Sequence, residues 1–230
     1  MINEPASSES PHIDPEHKGE GNIPANTTGP KVDRSKSISR ETIDFRQVLE
    51  KRDPSLKGFI RLYKAAFAEA PYFESFSNEQ VAQVWDKHIG HCVVCAEFNG
   101  EVVGLACAHP VLANTEPSIR DFILESINKL PKELDPKKAI FMSELAVSED
   151  ARGMGLGTQL VLERLKWGAQ QGFEFYMMRT AENESNSKNL YLRLGAVELP
   201  IVQRVIHEGI ETSSERRIYL WGKISDVLGH

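Results

Sequence analysis

The chain has 230 residues, of which 40% are hydrophobic and three are cysteines, and a formal net charge of −6 at pH 7. That length and apolar content suffice for one substantial core. The acidic balance disfavours nonspecific nucleic-acid binding, which depends on basic patches, and mildly favours a cationic acceptor such as an amine. No apolar run reaches the length of a membrane span or a signal peptide. An odd number of cysteines does not build a disulfide framework, so a protein of the reducing cytoplasm fits.

Residues 1–40 contain no Phe, Trp or Tyr, and five Pro among serines and charges, the composition of a disordered tail. A single domain is expected over 41–226. Ile43 to Leu49 reads as a first strand. Asp53-Pro54 forms an N-cap and first-turn pair for a helix that sets Leu56, Phe59, Ile60, Tyr63, Ala66 and Phe67 on one face and ends at Pro71. Ser77 and Gln80 have capping-box spacing and open a second helix through Val81, Val84, Trp85 and His88 to Gly90. Strands over 91–98 and 101–108 flank Asn99-Gly100, a strong hairpin signal. Cys92 and Cys95 beside His91 invite a metal reading, yet residues three apart on a strand face opposite sides, and no second Cys pair exists. Buried, reduced thiols are the better account, and no metal is expected. His88, His91 and His109 are read as structural, because nothing in the sequence gathers them.

Over 111–138, Ile119, Phe122, Ile123 and Ile127 suggest an extra amphipathic helix. It either walls a pocket or serves packing or a homodimer contact. Ala139–Val147 reads as a largely buried strand, with Met142, Glu144 and Ala146 on one face and Phe141, Ser143, Leu145 and Val147 on the other. Next comes Ser148-Glu-Asp-Ala-Arg-Gly-Met-Gly-Leu-Gly-Thr158, in which Arg152, Gly155 and Gly157 fit Arg-x-x-Gly-x-Gly and Gly153 adds a third glycine. Glycines there allow unusual dihedrals and close approach of a ligand to the main chain. The helix that follows, through Leu156, Leu160, Val161, Leu165 and Ala169 to a stop at Gly172, turns unpaired N–H groups toward the loop and makes a site suited to phosphate. No Lys follows the glycines, which excludes a P-loop, and their two-by-two spacing fails the dinucleotide fingerprint. A strand over 173–180, a short helix over 186–196 closed by Gly195, and a strand pair near 197–206 and 215–224 joined by Glu208-Gly209 complete the chain.

Strand, glycine loop, helix, strand, and a helix with Leu190-Tyr191 followed by Gly195 is an order that resembles the GCN5-related N-acetyltransferase family, densely over 139–196 and more loosely over 43–224. The resemblance implies an α/β fold: a central mixed, mostly antiparallel twisted sheet flanked by helices, with acetyl-coenzyme A as co-substrate and no metal. It implies that Arg152, Gly153, Met154, Gly155, Leu156, Gly157 and Thr158 hold the pyrophosphate, and that the backbone of Leu145, Ala146 and Val147 pairs with the pantetheine arm. Where many members carry Asn seven residues before the Tyr and Ala four before it, this chain has Glu184 and Ser187, and Asn186 becomes the candidate cofactor contact.

An amine must be neutral to attack a thioester, yet alkyl ammonium groups titrate near pH 10.4, so a base is needed beside the acceptor nitrogen. Glu144 occupies a position where many family members carry Glu, and apolar strand neighbours would raise its pKa toward a useful value. The alternative is a Glu that hydrogen-bonds a helix end. Tyr191 stands where the family places a phenol near the thioester sulfur, able to protonate the departing thiolate; as one residue of an amphipathic helix it would otherwise be core. Tyr72, Phe73 and Glu74, in the loop between the first two helices, either cradle an ammonium by cation–π contact and ion pairing or staple the loop to the core. The expected activity is transfer of acetyl from acetyl-coenzyme A to a primary amine of a small molecule. A protein lysine or N-terminus as acceptor and a noncatalytic acyl-coenzyme A sensor are the alternatives.

Overall fold

The computed structural model describes residues 42–70, 72–183, 186–205 and 216–229. In chain order these form β1 (Asp44–Gln47), α1 (Leu56–Phe67), α2 (Asn78–His88), β2 (Cys92–Phe98), β3 (Glu101–Pro110), α3 (Val111–Asn114), α4 (Pro117–Glu125), β4 (Ala139–Val147), α5 (Leu156–Gln170), β5 (Phe175–Ala181), α6 (Asn186–Arg193), β6 (Val197–Arg204), β7 (Arg216–Lys223) and α7 (Ile224–Leu228). The strands make one seven-stranded mixed sheet in the order β1-β2-β3-β4-β5-β7-β6. Only β4 and β5 pair in parallel; the other neighbours are antiparallel. The expected tail over 1–40, the helix stop at Pro71, Glu184 and the turn at Glu208-Gly209 lie outside the described residues.

Local signals place several elements as expected. The Ser77 hydroxyl accepts from the Gln80 N–H and the Gln80 side chain accepts from the Ser77 N–H, so α2 opens on a full capping box. Asn99 and Gly100 both have positive φ, as a two-residue hairpin turn of right-handed twist requires. Asp53 is not the N-cap of α1, however; Ser55 takes that position. The Asp53 carboxylate is claimed by Arg46 of β1 at 2.6 and 2.8 Å, and Arg46 also reaches Glu97 at 2.9 Å. The same carboxylate also accepts from the Ser55 N–H at 2.9 Å and from the Ser55 hydroxyl, so it still serves the turn that leads into α1.

Both faces of the sheet are covered. On one, α5 packs Leu156, Leu160 and Leu165 against Ala106, Ala108 and Met142. On the other, α1 and α2 bring Phe59 and Trp85 onto Leu105 and Cys107, and the segment after β3 brings Ile119 and Ile123 onto Leu199 and Tyr219. Cys92 belongs to the first core and Cys95 to the second, the opposite-side arrangement that a spacing of three demands on a strand. Burial pushes both thiols up to about 12, so they stay protonated.

The β4–β5 ladder runs only from Ala139↔Phe175 to Phe141↔Met177. Beyond that point both strands continue without pairing to each other, and the sheet opens as a wedge. The β3–β4 ladder carries a bulge next to it: Ala106 pairs Leu145 whereas Ala108 pairs Met142, so β4 spends one extra residue at Ser143 and Glu144. The strict alternation expected for β4 therefore breaks. Met142, Leu145 and Val147 contact the α5-side core while Ala146 joins the α1–α2 side. Ser143 and Glu144 leave Met142's face and open onto the α1–α2 side together.

Candidate active site

Two cavities meet around the wedge. The first, of about 600 Å³, is lined by Leu145, Ala146 and Val147 of β4, by Ala151–Gly153, and by Gly155–Thr158 at the start of α5. Asn186 and Leu190 of α6 close its far side. Gly153 and Gly155 have φ of +79° and +81°, a conformation that L side chains adopt only under strain, and a Cβ at Gly153 would meet nothing within 4 Å. The loop is therefore left-handed for its own backbone and bare on the cleft side. No side chain caps α5, which leaves its first-turn N–H groups directed at this space. These features fit a pyrophosphate: bare backbone, uncapped helix N-terminus, and Arg152 and Arg193 on the rim. Arg152 is held meanwhile by Glu69 at 2.7 Å, both half-exposed. Of the residues expected to hold the cofactor, Met154 alone is not on the cleft wall; it packs into the α5-side core.

The second cavity, of about 770 Å³, lies on the α1–α2 side between the two cores of that face. Glu144 opens into it from the bulge, and Tyr72 borders both cavities. Burial pushes the Glu144 carboxyl above its ordinary range, with a hydrogen bond from the Tyr63 phenol opposing the rise. The rise comes from desolvation, as expected, but the bulge turns Glu144 away from Met142, so the burial is supplied from the α1–α2 side, which Ala146 shares. The extra segment also takes part: Thr115, Glu116, Ser118 and Ile119 line this cavity while Ile119 and Ile123 pack into the core. Wall and packing element prove to be one structure.

Tyr72 and Glu74 are brought together, but around a cation of the chain itself. The Arg217 guanidinium sits 5.5 Å from the Tyr72 ring centroid and 3.9 Å from the Glu74 carboxylate. Phe73 lines neither cavity and stands 59% exposed, so the reading of Phe73 as part of an ammonium cradle is corrected. Its backbone φ is +51°.

His88 and His109, read from sequence as unconnected, come together in the same cavity with ring centroids 5.2 Å apart. The His88 Nε2 lies 2.8 Å from the Ser143 hydroxyl, its Nδ1 lies 2.7 Å from the Val84 carbonyl, and His109 stacks on Phe141. Burial drives His88 down to about 4 and His109 down to about 3. Both rings are therefore neutral at pH 7. His91 stays apart from them, next to Gln47.

Tyr191 is fully buried and absent from the wall of the cofactor cleft. Its phenol oxygen accepts a 2.8 Å bond from Arg164 of α5. Arg164 is itself completely buried and donates to the carbonyls of Cys107 and Glu144 at 3.2 and 3.1 Å. One guanidinium thus ties the bulge that carries Glu144 to the ring of Tyr191. Sequence reasoning missed it. The available signal was a charged residue four after Leu160, inside the apolar stripe of an amphipathic helix.

The sequence model of the acetyltransferase (GNAT) family matches residues 56–196. No curated protein sequence matches the chain. Among solved structures, a GCN5-related N-acetyltransferase from Kribbella flavida is similar at a TM-score of 0.57 and 16% identity, covering 80% of this chain and 99% of that one. The yncA protein of Salmonella typhimurium, solved with its cofactor acetyl-CoA, is similar at 0.57 and 14%, covering 79% and 94%. The ribosomal-protein-S18-alanine N-acetyltransferase of Escherichia coli follows at 0.54 and 14%, covering 79% and 94%. At such identities these structures establish the fold.

Proposed function

The chain belongs to the GNAT acetyltransferase family, and from that premise we propose that it transfers the acetyl group of acetyl-coenzyme A directly to a primary amine of a small molecule. The observation that carries this reading is the pair of cavities that meet at the wedge between β4 and β5, one fitted to a pyrophosphate and the other holding a half-buried glutamate. The small-molecule acceptor is favoured by the segment 115–119, which walls the second cavity where a macromolecular substrate would need an open groove.

When bound, acetyl-coenzyme A supplies an activated acetyl thioester. The glycine loop and the start of α5 anchor its diphosphate, and the bared edge of β4 at Leu145–Val147 orients the arm by main-chain hydrogen bonds. A main-chain N–H of that edge polarises the carbonyl oxygen. Glu144 takes the proton from the acceptor nitrogen, directly or through one water, and its raised pKa brings its basicity closer to that task. The N–C bond forms, the C–S bond breaks, and the sulfur leaves with the electron pair. Tyr191 returns a proton to that sulfur, with Arg164 bonded to the phenol oxygen and so placed to stabilise the phenolate left behind. This role requires cofactor binding to open a path to the phenol. The products are an N-acetylated amine and free coenzyme A thiol. Reduced, buried cysteines agree with work in the cytoplasm.

Thiol release from acetyl-coenzyme A, measured against a panel of polyamines, aminoglycosides, amino acids and short peptides, tests the reading. Turnover that falls on the order of 10²-fold or more in Glu144→Gln, with acetyl-coenzyme A affinity retained, is the expected result. Binding of the cofactor with silence across the panel would move the assignment to a macromolecular acceptor or a sensor. Absence of binding would overturn the reading of the glycine loop.

A further inference from the structure

The bulge in β4 turns two side chains into the acceptor cavity, and proton transfer uses only one of them. Consecutive residues of a regular strand point to opposite faces, yet Ser143 and Glu144 both line this cavity. The β3–β4 register spends its extra residue at that point, which brings the two onto one side. Both are half-buried.

The hydrogen bonds around Ser143 have a fixed direction. The Val84 carbonyl lies 2.7 Å from His88 Nδ1, and a carbonyl can only accept. The proton of the neutral imidazole therefore sits on Nδ1, and Nε2 carries the lone pair. The Ser143 hydroxyl, 2.8 Å from that Nε2, is then the donor. A competing acceptor, the Cys107 carbonyl, is farther off at 3.3 Å and already receives Arg164 at 3.2 Å. His88 is 2% exposed and its ring lies against that of His109, so the imidazole is not free to turn. The one proton of the hydroxyl is spent on His88, and what Ser143 offers the cavity is oxygen lone pairs.

A neutral primary amine has two N–H groups and one lone pair, and only the lone pair attacks a carbonyl carbon. Held by a single acceptor, the nitrogen can still rotate about that one hydrogen bond; two acceptors fix where the lone pair points. Glu144 is the acceptor for the proton that must leave, and part of its accepting capacity is taken by the Tyr63 phenol. We infer that the Ser143 oxygen accepts the second N–H of the acceptor nitrogen, aims the attacking lone pair, and so selects primary over secondary amines. This role rests on the acetyltransferase reading; the direction of the Ser143 hydroxyl does not.

The test pairs primary amines with their N-methyl derivatives: glycine with sarcosine, propylamine with N-methylpropylamine, phenethylamine with N-methylphenethylamine, and putrescine with N,N′-dimethylputrescine. Thiol release is measured on the full chain, and calorimetric binding of the same compounds is measured with coenzyme A present. The expected result is a preference in kcat/KM on the order of 10²-fold for the primary amine of a pair that turns over, because a site built to hydrogen-bond a group rejects the analogue that lacks it. Ser143→Thr and Ser143→Val give side chains of one shape that differ in the hydroxyl. The preference should persist in the first and collapse in the second, with the Kd for acetyl-coenzyme A unchanged in both. A merely structural Ser143 would lower the two rates together and leave their ratio intact, which would overturn the inference. Equal turnover of both members of every pair in the wild type would also overturn it, and would leave the transferase reading standing. Preferential binding of primary amines, lost in Ser143→Val, with no turnover of any compound would do the reverse. Failure of every amine to bind would overturn it as well. Imidazole nitrogen shifts of the wild-type protein read the tautomer directly. A proton on Nδ1 of His88 is expected; a proton on Nε2 would release the hydroxyl to donate into the cavity and would refute the inference even if a variant fails to fold.

Discussion

Acidification should destabilise this fold well before its carboxylates are protonated, through two histidines in the acceptor cavity. His88 and His109 are 2% exposed each, and burial holds them neutral, with folded-state values of about 4 and about 3. In the unfolded chain a histidine titrates near pH 6.5. The unfolded state therefore binds more protons at every pH below that value, and stability falls as pH drops from about 6.5 toward the folded values. Each ring removes about 1.4 kcal/mol per pH unit in this window, so from pH 7 to pH 5 the pair removes about 4 kcal/mol. That is a large fraction of the ~5–15 kcal/mol that typically separates a native domain from its unfolded state. The rings are 5.2 Å apart, so charging the second after the first is harder still, and the loss is steep. Asp53, whose carboxyl Arg46 holds below its usual range, acts only at lower pH, because its contribution disappears below about pH 4. Glu144 works in the other direction, since a carboxyl raised by burial binds its proton more readily in the folded state. Urea unfolding followed by tryptophan fluorescence at pH 7, 6 and 5 measures the slope, and NMR of the imidazole protons identifies the rings. A loss below about 1 kcal/mol between pH 7 and pH 5, or both rings titrating near 6.5 in the folded protein, would refute the reasoning.

Arg164→Met should cost about 3 kcal/mol or more and lower turnover together with stability. The guanidinium's own desolvation is relieved, but two carbonyls and a phenol are left without their buried donor at about 1–3 kcal/mol each. Denaturant unfolding and a kcat-against-KM comparison with Arg164→Lys check this, and a stable, fully active Met variant would sink it. Glu69→Gln should tighten acetyl-coenzyme A binding by about two- to fivefold at low salt and by less at high salt, since it frees Arg152 from its 2.7 Å partner and removes a negative charge from the cleft. Unfolding should barely change, because half-exposed pairs contribute little. Gly222→Ala should destabilise by about 1–3 kcal/mol, as the new Cβ would lie 2.5–2.8 Å from the Tyr176 ring and hydroxyl; a thermal melt within about 1 °C of wild type would contradict that packing.

What the sequence determined by itself was whatever depends on neighbours along the chain. The capping box at Ser77, the turn at Asn99-Gly100 and the glycine loop before α5 all form within a few residues, and each was legible with its boundaries nearly right. The loop at 152–158 carried its expectation of a phosphate ligand for the same reason, because left-handed glycines and a helix N-terminus are local properties. The tertiary structure decided the rest. Strict alternation placed Glu144 beside Met142, but pairing with β3 inserted a bulge that only the register of two strands defines. Arg46 reaches Asp53, which also accepts from the Ser55 N–H, across a gap that folding closes. His88 meets His109, Arg164 meets Tyr191, and Arg179 sits diagonal to Arg217 because helices and strands far apart in sequence share a face of one sheet. Hydrogen-bond ladders and packing across the sheet set those meetings, and buried charge acquires its chemistry only from the partners so assembled.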